Sequence, residues 1–208
     1  MCFEIFGGFN YTILRPQLIV GPNYGVVMNL PPIIGAYAAL CEHTNQPFAF
    51  PGGVDWVWEA ADARLVGDAC LWAAQNHEHG AHNETFNLTN GEVFMWRDMW
   101  DAIANTLGVV AAPDTPVSMA EFFADKETLW QEVVQAHNLK PIELSALLGE
   151  SHFYADLCFA YGAQQPPPPT FVSTVKIKQA GFTQTYDTQA SFCHWLEVLM
   201  QHKVLPKL

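Results

Sequence analysis

The chain has 208 residues, 50% of them hydrophobic and only 14% charged, with a net charge of −12 from 21 acidic and 9 basic side chains. So apolar a composition excludes a disordered chain. So acidic a balance excludes the basic footprint that nucleic acid or an anionic lipid surface requires, and neither is expected as a partner.

The opening stretch MCFEIFGGFN has no basic segment ahead of an apolar run, so no secretory signal is expected. The first clear element is YTILRPQLIVGP, residues 11–22. Thr12, Ile13, Leu14, Leu18, Ile19 and Val20 form a mostly apolar, partly β-branched run, which reads as a parallel-sheet strand buried on both faces. Pro16 lacks the N–H that a ladder needs, so pairing should end or bulge there. Gly21-Pro22-Asn23-Tyr24-Gly25 is a loop. The apolar stretch from Val26 to Cys41 is interrupted by Asn29, Pro31 and Pro32 and is shorter than the roughly 20 residues of a bilayer crossing, so no membrane span is expected.

A helix is predicted over 31–41, with both prolines in its first turn and an apolar surface nearly all round, as in a helix surrounded by partners. PFAFPGG follows as a short strand and a turn. Asp62 is a candidate N-cap for a helix to about Ala74, whose stripe is Leu65, Ala69 and Trp72. Glu84 to Leu88 is a strand candidate. Trp96, Trp100, Ile103 and Leu107 mark a helix stopped by Gly108. Ser118 and Glu121 make a capping box, a helix follows over 126–137, PPPP at 166–169 is a stiff connector, and the last helix covers 188–201.

Five cysteines (Cys2, Cys41, Cys70, Cys158 and Cys193), widely spaced and without a C-x-x-C, fit buried free thiols in a reducing compartment, so a cytoplasmic protein is expected. His77, His79 and His82 have the donor type for zinc, but their polar surroundings read as a solvated loop. Trp56 and Trp58 alternate so that both indoles share one side, lining a pocket or, the favoured alternative, packing in the core. Met28, Phe153, Tyr154 and Phe159 are candidates for an apolar ligand cavity, although each type is more often core. Serine-hydrolase and P-loop signatures are absent from the sequence, and no Tyr is followed by Lys four residues later.

The order of segments YTILRPQLIVGP, VMNLPPIIGAYAALCEHTNQPFAFPGG, WEAADARLVGDACLWAA and NETFNLTNGEVFMWRDMWDAIANTLG resembles the C-terminal half of an extended short-chain dehydrogenase/reductase of the progesterone 5β-reductase and iridoid synthase-like subgroup. The succession R-P-x-x-I-x-G, M-N-L, F-P-G and F-N-x-x-N-G-x-V-F-x-W carries the likeness, and LGESHFYADLCFAYG and KQAGF extend it over nearly the whole chain. The resemblance implies an α/β fold: the C-terminal part of a Rossmann-based reductase, with few parallel strands, and a largely helical substrate domain. Residues 1–30 would be the last part of the Rossmann domain, with the R-P strand and the cofactor loop. Residues 31–208 would be the mostly helical substrate-binding domain, with 83–108 returning a strand and a helix to the Rossmann sheet.

The implied reaction is NADPH-dependent reduction of the C=C bond of a small apolar enone, with NADH as the alternative donor. Hydride goes to the β-carbon while a Tyr hydroxyl and a nearby Lys stabilise the enolate. Position by position, Ile19, Val26, Val27 and Met28 match cofactor contacts. Met28 and Tyr154 match substrate-pocket positions, and Phe153 adjoins them. Val26 stands where the family often has Ser, which removes one side-chain hydrogen bond and leaves backbone contacts.

The Gly-rich phosphate loop and the catalytic Tyr and Lys lie upstream of this region in family members, so no catalytic residue and no metal ligand is assigned here. The expectation is a truncated portion of a reductase that is inactive by itself. One alternative is a non-catalytic half-domain or binding module that docks on a separately encoded Rossmann half. The other is an NAD-dependent epimerase or dehydratase, against which the M-N-L and F-N-x-x-N-G-x-V-F-x-W context speaks.

Overall fold

The computed structural model describes residues 10–76 and 80–208. The N-terminal apolar run is two strands, β1 (Thr12–Pro16) and β2 (Leu18–Val20), separated at Gln17. Then come α1 (Pro31–His43), β3 (Phe48–Ala49), β4 (Val57–Trp58), β5 (Ala60–Asp62), α2 (Ala63–Gln75) and β6 (Glu84–Leu88). β1 runs parallel to β6, from Thr12↔Glu84 to Pro16↔Leu88. The Gln17 N–H still donates to Leu88 O at 3.1 Å, and the chain then changes partner, with β2 running parallel to β5. The expected end of pairing at Pro16 is where this change occurs.

The remaining elements are β7 (Phe94–Met95), α3 (Trp96–Leu107), β8 (Ala111–Ala112), α4 (Met119–Phe123), α5 (Glu127–Ala136), α6 (Leu144–Leu148), α7 (Ser151–Cys158), α8 (Val175–Gln179) and α9 (Thr188–Gln201). β7 pairs antiparallel with β4, and β8 parallel with β3. The fold is thus mixed α/β, with short, mostly parallel pairs and many helices, the coarse form of what the sequence suggests.

Helix α1 is the axle of the larger core. Every residue from Pro31 to Cys41 is buried, and α3, α5, α6, α7 and α9 all pack against it. A helix with no polar face is stable only when partners cover it all round. Aromatic rings fill the space beside it: Phe48 stacks on Trp100 at 4.8 Å, and Trp96 meets Phe159 and Phe192 edge-on at 5.0 Å each. A smaller core joins α2, β6 and α8 through Leu65, Ala69, Phe86, Leu88, Ile177 and Phe182.

Local chemistry accounts for most boundaries. Asp62 caps α2 by accepting from the Arg64 N–H, and Gly108 ends α3 at φ +89°. Ser118 Oγ accepts from the Glu121 N–H at 3.1 Å. Asp156 of α7 is a second acceptor at this helix start, taking bonds from Ser118 Oγ at 2.7 Å and from the Met119 N–H at 2.5 Å.

Three expectations need correction. The N-terminal run is not buried on both faces: β1 is half-buried with Arg15 exposed, and Ile19 in β2 is 43% exposed. Leu14 packs against the α2 cluster, and Leu18 and Val20 join the core that α9 completes, so helices cover one face of each strand. The strands exceed the two or three expected, because two-residue strands such as β4 and β7 leave no alternation to read. Cys41, Cys70, Cys158 and Cys193 are free thiols, but Cys70 is exposed, since it lies off the Leu65–Ala69 stripe of α2. Among the described residues no helix is long and apolar enough to cross a membrane.

Candidate functional site

The loop after β2 leaves the C-terminal end of a parallel strand, the side on which open α/β sheets receive ligands. It begins at Gly21 and runs into α1 at Pro31. Val27 is 58% exposed and Met28 60%, whereas Val26 is half-buried and Asn29 buried.

Asn29 organises the loop from within. Its Nδ2 donates to Gly21 O at 2.9 Å and to Asn23 O, and its backbone N–H donates to Ser151 Oγ at 3.0 Å. Its Oδ1, an acceptor withdrawn from solvent, has no hydrogen-bond partner among the described residues. Ser151, at the start of α7, donates its hydroxyl to Val26 O at 2.7 Å, and the Glu150 N–H donates to the same oxygen at 3.2 Å. The Gly25 N–H donates to Leu147 O at 2.9 Å.

The loop and the α6–α7 turn meet backbone to backbone. Gly25 has φ +70° and Gly149 φ +52°, and a Cβ on Gly149 would stand 2.6 Å from both the Gly25 carbonyl carbon and Val26 O. Only residues without a side chain permit this approach.

Helix α7 continues from that junction with the other candidates. Phe153 is 57% exposed, Leu157 follows one turn later at 56%, and the His152 and Phe153 rings lie 4.2 Å apart. Burial lowers the pKa of His152, favouring the neutral imidazole. Tyr154 turns toward the larger core and is half-buried. Burial first, then the adjacent Cys158 thiol that hydrogen-bonds to it, hold its phenol well above the ordinary tyrosine range. Tyr154 therefore offers no ready proton. Phe159 is core, only 2% exposed.

The structure thus brings Val26, Val27 and Met28 to the first turn of α7, where Phe153 and Tyr154 follow, while Ile19 stands on the strand that feeds the loop. These residues form an open surface. A cavity of about 340 Å³ lies beyond Gly149, walled by Phe123, Lys126, Leu148 and His152. Another of about 400 Å³ lies between β1 and α2, walled by Leu14, Cys70, Ala73 and His82. Neither is lined by the candidate residues.

Trp56 and Trp58 do share one side, with ring centroids 4.4 Å apart, and Trp58 packs against the larger core. His77 and His79 lie outside the described residues, and among those described no group of His, Cys, Asp and Glu is suited to a metal ion. Asn29, Ser151, Gly25 and Gly149 escape sequence reasoning as a set. A Ser beginning a helix and a Gly ending one are ordinary local signals, and nothing local links positions 122 residues apart.

No family model matches the chain. It is 32% identical over 205 residues to an (S)-8-oxocitronellyl enol synthase of Antirrhinum majus, covering 96% of this chain and 50% of the relative. It is 28% identical over 203 residues to a 3-oxo-Delta(4,5)-steroid 5-beta-reductase of Arabidopsis thaliana, covering 94% and 50% respectively. In fold it is similar to the terminal R domain from the myxalamid PKS-NRPS biosynthetic pathway, with a TM-score of 0.51 and 14% identity over 96% of this chain and 46% of that one. The chain spans about half the length of the curated relatives it matches. The resemblance carried by the segment order is borne out, and its relatives come from the iridoid synthase and 5β-reductase group.

Proposed function

From this kinship with enol synthases and a steroid 5β-reductase, we propose that the chain is the substrate-binding half of a nicotinamide-dependent reductase acting on the C=C bond of small apolar enones. Ile19, Val26, Val27 and Met28 are its cofactor segment, and Met28, Phe153 and Tyr154 line its substrate site. The observation that supports this most is the junction at Ser151. It sets an exposed apolar loop, at the C-terminal end of a parallel strand, against a helix whose exposed face is aromatic and apolar.

The residues suit the nicotinamide end of NADPH. Asn29 Oδ1 is a buried acceptor without a partner among the described residues, and a carboxamide carries the N–H donors it lacks. Val27 and Met28 offer apolar surface to a planar ring. Three of the basic side chains are committed to carboxylates: Arg64 pairs with Asp62, Arg97 with Asp55 and Asp114, and Lys176 with Glu84. In this reading the phosphates are held by the Rossmann half, with amides at a helix N-terminus. The parallel pairing of β1 with β6 supports reading 1–30 and 83–108 as that half's continuation and the rest as the substrate domain. On the side of β6, the Asn87 side chain donates to Ser173 O and Lys176 Nζ to Thr85 O, and among the described residues β1 pairs with no strand but β6, which leaves its other edge for a further strand.

When bound, the cofactor supplies the hydride. This chain's residues orient the acceptor and exclude water: Met28 and Phe153 bracket the enone, Tyr154 closes the inner side with its ring, and the backbone of Val26 fixes the depth of the loop. The Tyr and Lys that stabilise the enolate come from the other half.

The test is reconstitution. Purified alone, the chain should bind no NADPH saturably and oxidise none in the presence of an enone. Mixed with the N-terminal half of the Antirrhinum majus relative, it should form a one-to-one complex that oxidises NADPH only when an enone is present. Saturable NADPH binding by the chain alone would overturn the reading, and so would an inert mixture of the two.

A further inference from the structure

We infer that Ser151 is a positioning residue that fixes the loop bearing Val26–Met28 to the helix bearing Phe153 and Tyr154, so that the two segments move as one body. Ser151 is the first residue inside α7, after the N-cap Glu150, and its hydroxyl is committed to the loop. It accepts from the Asn29 N–H at 3.0 Å and donates to Val26 O at 2.7 Å, reaching across 122 and 125 residues of sequence.

Only a hydroxyl can accept and donate through one small neutral atom, so both bonds depend on this side-chain type. Ser151 is 2% exposed, so water is a poor substitute for it. Without it, the Asn29 N–H loses its acceptor and Val26 O keeps only the longer bond from Glu150 at 3.2 Å. The Gly25–Gly149 contact supplies closeness but no direction, because it is steric, whereas the hydroxyl sets the register between loop and helix.

The functional part of this inference rests on the reading of Val26–Met28 as a cofactor segment: a fixed junction holds the hydride donor and its acceptor at one separation. The structural part does not rest on it, and the experiment addresses that part. Val27 and Leu157 are both more than half exposed and can carry spin labels as V27C and L157C, in a chain whose Cys2, Cys70 and half-buried Cys193 are replaced by Ser. Pulsed EPR then reads the distribution of distances between loop and helix.

The expected result is one narrow distribution with Ser151, a width at least about doubled in S151A, and a narrow distribution again in S151T, which restores the hydroxyl. The Asn29 amide should exchange about tenfold faster in S151A, as befits one lost buried hydrogen bond, with α3 amides unchanged. If S151A does not fold, S151G, which removes the hydroxyl and adds no thiol, is judged by the same widths. Equal widths with and without the hydroxyl, or an S151T as broad as S151A, would overturn the inference. Should the cofactor reading fail, reconstitution fails while the label distances still respond to Ser151, so the two failures are distinguishable.

Discussion

The Asp62 carboxylate takes three hydrogen bonds from Arg64: from the backbone N–H at 2.8 Å, Nε at 2.9 Å and Nη2 at 2.7 Å. Asp62 is fully buried, while the Arg64 side chain is 37% exposed and lies against the rings of Tyr186 and Trp195. One side chain therefore caps α2 and fastens it to the segment leading into α9. Asp62→Ala should destabilise the chain by about 2 kcal/mol, discounted from the usual value for a broken buried pair because the arginine can reach water. Urea unfolding checks this, and a change of a few tenths of a kcal/mol would show that the capping geometry is not what holds the junction.

The same carboxylate gives the stability a sign with pH. Burial pushes its pKa up, but hydrogen bonding by Arg64 and Ser191 and the guanidinium charge outweigh burial and hold it below the ordinary Asp range. A lowered folded pKa stabilises in full above the unfolded value, about 3.9, and is lost as pH falls through the folded one. The stability difference between wild type and D62N should thus stay constant from neutrality down to about pH 5 and shrink on further acidification. Unfolding free energies of both proteins across that range test it; a difference that grows on acidification would contradict it.

Residues whose fate is decided within a few positions are legible in the sequence. Glu84–Leu88, Thr188–Gln201 and the stop at Gly108 follow from periodicity and end chemistry. So does the Asp62 cap. The Ser118 capping box is legible only by half, because its second acceptor is Asp156, from another helix. Helices as short as Leu144–Leu148, and strands of two residues, carry too few turns or alternations to be seen. Ile19, Val26, Val27, Met28, Phe153 and Tyr154 stand out through family likeness rather than pattern. What holds Val26 to α7 is a long-range pairing of Gly25 with Gly149 and of Asn29 with Ser151, which no window of sequence contains.

Two glycines should respond to alanine in opposite directions. Gly149 has φ +52° and would drive a Cβ to 2.6 Å from Val26 O, so G149A should lose more than about 2 kcal/mol. Gly67 is exposed inside α2 with nothing within 4 Å of a Cβ, so G67A should gain about 0.5–1 kcal/mol from helix propensity. Thermal melts of the two variants would read both signs in one experiment.

Thiol reactivity should sort by depth. Burial pushes the Cys41 thiol up to about 12, and Cys158 is likewise raised by burial. Cys70 is exposed. With Cys2 and the half-buried Cys193 replaced by Ser, a disulfide reagent in mildly alkaline buffer should modify one thiol rapidly, and C70S should abolish that phase. Cys41 and Cys158 should react only on unfolding; rapid labelling of either would show that α1 or α7 opens in the native state.

The reconstituted enzyme offers a kinetic check on the apolar loop. Met28→Ala removes an exposed apolar wall from the reacting pair and should raise the enone KM by about tenfold, with kcat changed by less than about threefold. An unchanged KM would move the substrate site away from the loop.

The burial of Pro31–Cys41 on every side has a consequence during synthesis. This helix leaves the ribosome about 145 residues before the helix Thr188–Gln201 that helps to enclose it. At about 5–20 residues per second, it waits roughly 7–30 s for that cover. During this interval the nascent chain displays its most apolar segment with no polar face to turn outward. Chaperone occupancy on the emerging chain should therefore begin once this helix is out and end only as the final helix appears.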